Sequence, residues 1–150
     1  MKPMKRSKRR PSPAFTVFLF LALGMVIFAY FHVKTVVIRG ESMVPTFEPG
    51  RRLVVSDAYW LVGPIRKNDI VVVKEFTKRG GFFIKRVVGL GGDEIENVYW
   101  PKSYGIENPN FTVPPEMVFL LGDNRSQSED SRSFGPISKD LVVGKVLVGG

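Results

Sequence analysis

The feature that most constrains this chain is an uninterrupted apolar run near its N-terminus, at residues 14–33. The run contains no Asp, Glu, Lys or Arg. Twenty residues at a rise of about 1.5 Å give a helix of roughly 30 Å, which is the thickness of the hydrocarbon core of a bilayer. A cleaved signal peptide is the alternative, because Ala22-Leu23-Gly24 loosely matches a small-x-small cleavage site. Apolar sequence continues well beyond that point, so we predict an uncleaved transmembrane helix.

The distribution of charge predicts how this helix is oriented. Seven of the 22 Lys and Arg residues flank the run, six of them before it, and no acidic residue precedes Glu41. Basic residues before a span favour a cytoplasmic N-terminus. We therefore predict a basic cytoplasmic tail at residues 1–13, a single transmembrane helix at 14–33 and an extracytoplasmic domain at 34–150.

The net charge of +8 does not indicate nucleic-acid binding. From residue 35 onward the remaining fifteen basic residues face fourteen acidic ones, so the outer domain is nearly neutral. The excess belongs to a juxtamembrane tail, where it sets topology and favours anionic lipid. We expect the lipid bilayer as a partner and no nucleic acid.

The outer domain has the pattern of a mostly β protein. Six short segments are rich in β-branched and apolar residues, at 35–39, 52–56, 69–74, 82–88, 118–121 and 141–148. Turn-forming clusters such as Glu48-Pro49-Gly50 and Gly91-Gly92-Asp93 separate them. This spacing predicts a small antiparallel β-sandwich or barrel-like domain. Residues 97–117, rich in Asn, Pro and Tyr, are predicted to form a long excursion on the surface.

The residue inventory excludes several kinds of active site. The chain has no cysteine and one histidine, His32, which lies at the end of the apolar run. A Ser-His-Asp triad, a Cys-His pair and a His- or Cys-built zinc site are therefore excluded. The acidic residues do not alternate as a calcium loop requires, so we expect no metal and no cofactor. A serine nucleophile here would need a lysine or a carboxylate as its base.

Ser42 and Lys85 are the candidates for such a pair. Ser42 follows the end of a predicted strand and precedes a proline, which favours a constrained turn. A lysine accepts a proton only when it is neutral, which requires burial to lower its pKa from about 10.4. In a strand, Phe83, Lys85 and Val87 share one face, so the amine would lie between apolar groups. The alternatives are an ordinary turn serine and a lysine on a solvated face.

Ser42 lies in a serine block at residues 40–46 and Lys85 in a lysine block at residues 83–89, and a third block of polar residues, Gly122–Gly135, follows downstream. It is either a polar loop held by its own hydrogen bonds or a network that orients Lys85. In the second case the Ser128 hydroxyl would contact the lysine amine.

Taken together, the blocks are similar to those of bacterial type I signal peptidases, the membrane-anchored Ser-Lys endopeptidases of the leader peptidase family. The resemblance rests on four blocks in the family's order, at residues 40–46, 68–73, 83–93 and 122–136. It implies that residues 34–150 form a peptidase domain in which Ser42 is the nucleophile and Lys85 the general base. The chain lacks the large inserted β-region of longer members, and we expect a minimal form.

The resemblance also implies supporting and substrate-binding residues. Ser128 would hydrogen-bond and position Lys85, while Asp130 and Arg132 would support the site as an ion pair. The family binds its substrate as an extended strand, which would lie along Phe82, Phe83 and Ile84. Some members carry a serine two residues before the nucleophile that helps to form the oxyanion hole, and Gly40 stands there in this chain.

The function so implied is removal of signal peptides after Ala-x-Ala-type sites at the outer face of the cell membrane. The partners would be signal-peptide-bearing preproteins, the bilayer and a nearby secretion translocon. One alternative is a specialised Ser-Lys peptidase for a single exported substrate such as a pilin or a conjugation factor. A self-cleaving repressor-type protein is disfavoured by the anchor, and a membrane-tethered binding module by the presence of both Ser42 and Lys85.

Overall fold

The computed structural model describes residues 12–75, 81–99 and 111–149. Most of the predicted basic tail therefore lies outside the described residues, as do residues 100–110 of the predicted excursion. The chain divides after His32 into two compact units. The first contains α1, Pro13–His32, whose 20 residues are long and apolar enough to cross a membrane, with a mean hydropathy of 2.4 over an 18-residue stretch. Its bounds differ by one residue from those predicted.

The second unit is mostly β. Its strands within the described residues are β1 Val33–Val37, β2 Arg52–Ser56, β3 Ile70–Lys74, β4 Phe82–Leu90, β5 Glu94–Ile95, β6 Phe111–Thr112, β7 Met117–Leu121, β8 Ile137–Ser138 and β9 Val142–Gly149. Two α-helices of one turn each interrupt them, α2 at Tyr59–Val62 and α3 at Ser131–Phe134, as do two 3₁₀ helices among the described residues, at Asn97–Tyr99 and Lys139–Leu141.

Seven of the strands form one antiparallel sheet in the order β1-β2-β9-β3-β4-β7-β8, and β5 pairs with β6 in a small second sheet. The register shifts at Val54/Val55, Val72/Val73 and Val87/Gly89. Such irregularities bend a strand and increase its twist, so they favour a curled sheet. The prediction of a mostly β, antiparallel, barrel-like domain is confirmed, in the form of a half-barrel.

The shortest secondary-structure elements were not predicted from the sequence. Strands β5, β6 and β8 and the two helices have two to four residues each, which is too few for a periodic pattern. The predicted surface excursion is wrong at its C-terminal end. There Phe111 and Val113 are buried in a cluster with Phe119, because β6 pairs with β5 and packs against β7.

The central strands are buried on both faces. Val71 and Val73 of β3 belong to one core cluster, while Val72 between them belongs to another. Strand β7 divides in the same way, with Leu120 on one face and Phe119 on the other. This double burial explains the continuous apolar runs of both strands. Strand β4 lies between β3 and β7, so its side chains next to these strands point into the core on either face of the sheet.

Among the described residues, both edge strands of the large sheet, β1 and β8, and the first part of β4 leave backbone groups unpaired within the sheet. Residues 82–85 of β4 pair with β3 on one side, while β7 pairs with β4 only from Arg86 onward. Strand β1 is at the edge of the sheet and pairs with β2 alone. Unpaired strand edges can accept another strand.

Candidate active site

Ser42 and Lys85 meet through a direct hydrogen bond. Lys85 Nζ donates to Ser42 Oγ at 2.9 Å, although the residues are 43 positions apart. Lys85 lies in the middle of β4, opposite Val71, and only 4% of its surface is exposed. Its amine lies 5.7 Å from the centroid of the Phe83 ring. Phe83 and Val87 belong to one core cluster, as the strand periodicity predicted for the Lys85 face.

Burial lowers the pKa of Lys85, because removal from water disfavours the charged ammonium. The carboxylates of Asp130 and Glu129 act in the opposite direction and raise the pKa, but burial is the larger cause. The amine is therefore neutral at a lower pH than that of an exposed lysine. A neutral amine beside a serine hydroxyl can accept its proton.

The serine turn is fixed against the third polar block. The Asn124 N–H donates to the Ser42 carbonyl oxygen at 3.0 Å. A side chain at Gly122 would come within 2.6 Å of the same oxygen and would overlap the Ser128 side chain, so this close approach requires glycine. Gly40 has a φ of +86°, in the left-handed region that favours glycine. The absence of a serine there therefore fits the local backbone.

An ion pair that the sequence analysis missed connects all four motif blocks. Arg86, next to Lys85 but on the opposite face of β4, binds Asp123 with Nε and Nη2 at 2.8 Å and 2.7 Å. Thr46 of the serine block donates its hydroxyl to the same carboxylate. Arg86 also donates to the Asn68 carbonyl at 2.9 Å. The only sequence signal was an arginine and an aspartate in separate blocks, which says nothing about their proximity.

Asp130 and Arg132 form the expected ion pair. Arg132 Nε and Nη2 lie 2.8 Å and 3.0 Å from the Asp130 oxygens, and the Gly122 N–H donates to Asp130 at 3.0 Å. Asp130 has no exposed surface and precedes α3 as its N-cap residue. Burial would raise the pKa of Asp130, but the hydrogen bonds from Arg132 and Gly122 outweigh it and hold the pKa below the usual range.

Ser128 lies close to this network. Its hydroxyl is buried and makes no hydrogen bond of ordinary geometry, although it is near enough to help lower the pKa of Asp130. The structure thus places Ser128 beside Gly122 and Asp130. Its direct contact with the Lys85 amine stays a prediction.

Two cavities adjoin Ser42. The first, of about 560 Å³, includes Ser42 and Met43 and lies between two runs of backbone, residues 35–39 and 81–84. The predicted substrate-binding residues Phe82, Phe83 and Ile84 form one of its walls. The opposite wall at 35–39 was missed, because no local signal indicates that β1 faces β4. The second cavity, of about 360 Å³, includes both Ser42 and Lys85.

No metal site accompanies these groups. Across residues 12–75, 81–99 and 111–149, no three His, Asp or Glu side chains come together as metal ligands would. Two buried or partly buried acids of this region, Asp123 and Asp130, instead bind arginine side chains, and Asp130 also accepts from a backbone N–H.

Comparison with known proteins identifies a family model and several proteins that are similar to this chain. Residues 13–99 and 96–148 match the family model described as signal peptidase, peptidase S26. The chain is 32% identical to a signal peptidase I of Bacillus caldolyticus, over 97% of this chain and 92% of that protein. It is 30% identical to signal peptidase IB of Staphylococcus aureus strain COL, over 81% of this chain and 80% of that protein. A crystal structure of a signal peptidase I from Enterococcus faecalis V583 aligns with a TM-score of 0.40 and 26% identity, over 57% of this chain and 97% of that one.

We predict that Asp130→Asn destabilises the domain, because Arg132 loses its charged partner. The free energy of unfolding should fall by about 2–3 kcal/mol at neutral pH. The lowered pKa of Asp130 means that its stabilisation is present above the usual carboxylate range and is lost as pH falls through the lowered value. Urea unfolding of the solubilised protein at neutral and acidic pH measures both effects.

The variant should therefore lose less stability on acidification than the parent does. Asp140→Asn, at an exposed aspartate, is the matched control and should change stability by less than about 0.5 kcal/mol. Equal unfolding midpoints for Asp130→Asn and the parent would contradict the structural role given to this carboxylate.

Proposed function

The chain belongs to the signal peptidase family, peptidase S26, and we propose that Ser42 is its nucleophile and Lys85 its general base. As a member of this family it is a serine endopeptidase with signal peptidase function. The observation that carries the assignment of residues is the 2.9 Å hydrogen bond between a buried lysine amine and a serine hydroxyl. No other serine hydroxyl among the described residues is hydrogen-bonded to a lysine amine.

The reaction follows from this geometry. Neutral Lys85 takes the hydroxyl proton as Ser42 Oγ attacks the scissile carbonyl carbon, and the backbone N–H of Ser42 stabilises the oxyanion. The Lys85 ammonium then gives that proton to the leaving amide nitrogen, which releases the new N-terminus and leaves an ester on Ser42. Lys85 then takes a proton from a water molecule as the water oxygen attacks the ester carbon, and it returns that proton to Ser42 Oγ as the ester bond breaks, which restores the free serine and the neutral lysine. Gly40 has no hydroxyl and contributes no side-chain donor to the oxyanion hole.

The first cavity is suited to an extended peptide. It lies between the edge strand β1 with its continuation to Arg39 and the unpaired stretch 82–85 of β4. A substrate strand there would pair with exposed backbone groups and fill the opening of the half-barrel, which is β-augmentation. The cavity therefore supports binding of the residues before the cut along Phe82, Phe83 and Ile84.

The walls of this cavity favour small side chains close to Ser42. Met43 is buried beneath the site, and Ile84 and Ile38 are nearly so. Pockets with such close apolar walls accept alanine and exclude larger groups, which fits Ala-x-Ala-type sites. The proposed substrates are signal-peptide-bearing preproteins, delivered near the secretion translocon.

The proposed location is the cell membrane. Helix α1 provides a single span, and the six basic residues before it favour a cytoplasmic N-terminus with the peptidase domain outside. In this topology the domain meets preproteins as their signal peptides emerge from the bilayer.

Ser42 and Lys85, the proposed catalytic dyad, should each be indispensable for activity. Ser42→Ala and Lys85→Ala should each reduce kcat/KM on an Ala-x-Ala preprotein by at least about a thousandfold, and the double variant should be no worse. Lys85→Arg should be equally inactive, because guanidinium stays protonated. Substantial activity of the arginine variant would mean that Lys85 is not the base. Circular dichroism of each variant checks that the β domain is intact.

The pH dependence follows from the lowered pKa of Lys85. Only the neutral amine is a base, so kcat/KM should rise with pH through an ionisation below the ordinary lysine value of 10.5. His32→Ala is the control and should leave the profile unchanged. A profile that is flat from mildly acidic to alkaline pH, with chemistry rate-limiting, would remove Lys85 from this role.

The topology predicts which part of the chain an external protease reaches. Protease added to intact spheroplasts should digest residues 34–150 and spare the basic tail, because only the domain lies outside. The same treatment after detergent lysis is the control, in which the tail is also cut. Protection of the domain in intact spheroplasts would overturn the orientation.

A further inference from the structure

The second cavity differs from the first in its relation to the dyad. Both include Ser42, but only the second includes Lys85. The second is also the more acidic, because Glu41, Glu75 and Glu129 line it. Its described lining residues are Arg39, Gly40, Glu41, Ser42, Glu75, Phe83, Lys85, Gln127, Glu129 and Phe134.

The position of the leaving nitrogen indicates which part of the substrate the second cavity would bind. A base that takes the Ser42 proton must return it to the leaving nitrogen, so that nitrogen must lie on the Lys85 side of Ser42. The residues before the cut occupy the strand-shaped first cavity under the proposed function. The chain after the cut must then pass through the cavity that contains Lys85.

Two carboxylates are placed to act on that part of the substrate. Glu41 immediately precedes the nucleophile and Glu129 immediately follows Ser128, and both residues are exposed. Within the described part of the chain, neither is a member of an ion pair. Glu129 is also close enough to Lys85 to oppose the effect of burial on its pKa. Its negative field therefore reaches the reacting atoms.

We propose that the second cavity binds the first residues of the mature protein and that Glu129, assisted by Glu41, makes it favour basic over acidic side chains there. This inference rests on the proposed function of Ser42 and Lys85. Neither carboxylate is needed for the bond-making steps. Glu129 is thus a specificity residue that acts on substrate charge, and solvent screening limits the size of its effect.

The test compares peptide substrates with one Ala-x-Ala site that differ only in the residue after the cut, which is Lys, Gln or Glu. The quantity measured is the ratio of kcat/KM for the Lys and Glu substrates. For the parent we expect a ratio of about five at low salt, as exposed charge pairs of this kind allow. Any change in the pKa of Lys85 affects both substrates alike and cancels in the ratio.

Glu129→Gln should reduce the ratio to about two or less, and Glu129→Lys should bring it to about one or below it. Glu96→Gln is the matched control, because Glu96 is exposed and lines neither cavity. It should leave the parent ratio unchanged. Without any variant, the parent ratio should fall towards one as the salt concentration rises, since salt screens exposed charges.

The possible outcomes distinguish failure of the proposed function from failure of the inference about Glu129. A parent that does not cut the Gln substrate overturns the proposed function and this inference with it. A parent that cuts the Gln substrate but has a ratio of one at low salt overturns the inference alone. A ratio of five that Glu129→Gln and Glu96→Gln leave equally unchanged removes Glu129 as the determinant.

Discussion

The hydrogen bond between Lys85 and Ser42 depends on an amine that the fold holds inside its core. Lys85 lies on β4 between two strands that are buried on both faces, and its neighbours on the same face are Phe83 and Val87. A charged ammonium in this position is disfavoured, which lowers the pKa of Lys85. The fold thus tolerates a destabilising residue at its centre, and the same burial makes that residue able to accept a proton.

The acids around Lys85 have two opposing effects: they anchor the third block, and they favour the charged form of the lysine. The third block needs carboxylates to anchor it, since Asp123 binds Arg86 and Asp130 binds Arg132 and the Gly122 N–H. Carboxylates near Lys85 also favour its charged form. Each anchoring acid has its own arginine, which offsets its charge. The network can therefore hold the serine turn through Asn124 while burial still determines the direction of the pKa shift.

Under the proposed function, the incomplete closure of the sheet leaves room for a substrate strand beside Ser42. Strand β1 and the first residues of β4 leave their edges unpaired, and the first cavity lies between them. A closed barrel would have satisfied these backbone groups, but it would have left no unpaired edge for a substrate strand. The second cavity includes both Ser42 and Lys85. Under the proposed function, the substrate residues before and after the cut therefore lie in chemically different surroundings.

The sequence alone determined the features that depend on residues close together in the chain. Residues 14–33 indicated the long apolar helix by length and polarity, and the alternation around Lys85 placed its side chain with Phe83 and Val87 because a strand has a period of two. The order of the motif blocks identified the family. Tertiary structure decided what depends on distant parts of the chain meeting: the pairing of Arg86 with Asp123, the placing of residues 35–39 opposite 81–84, and the burial of Phe111. These features follow from strand order and from register shifts within the sheet. A sequence does not reveal them, because pairing partners far apart in the chain leave no periodic signal along it.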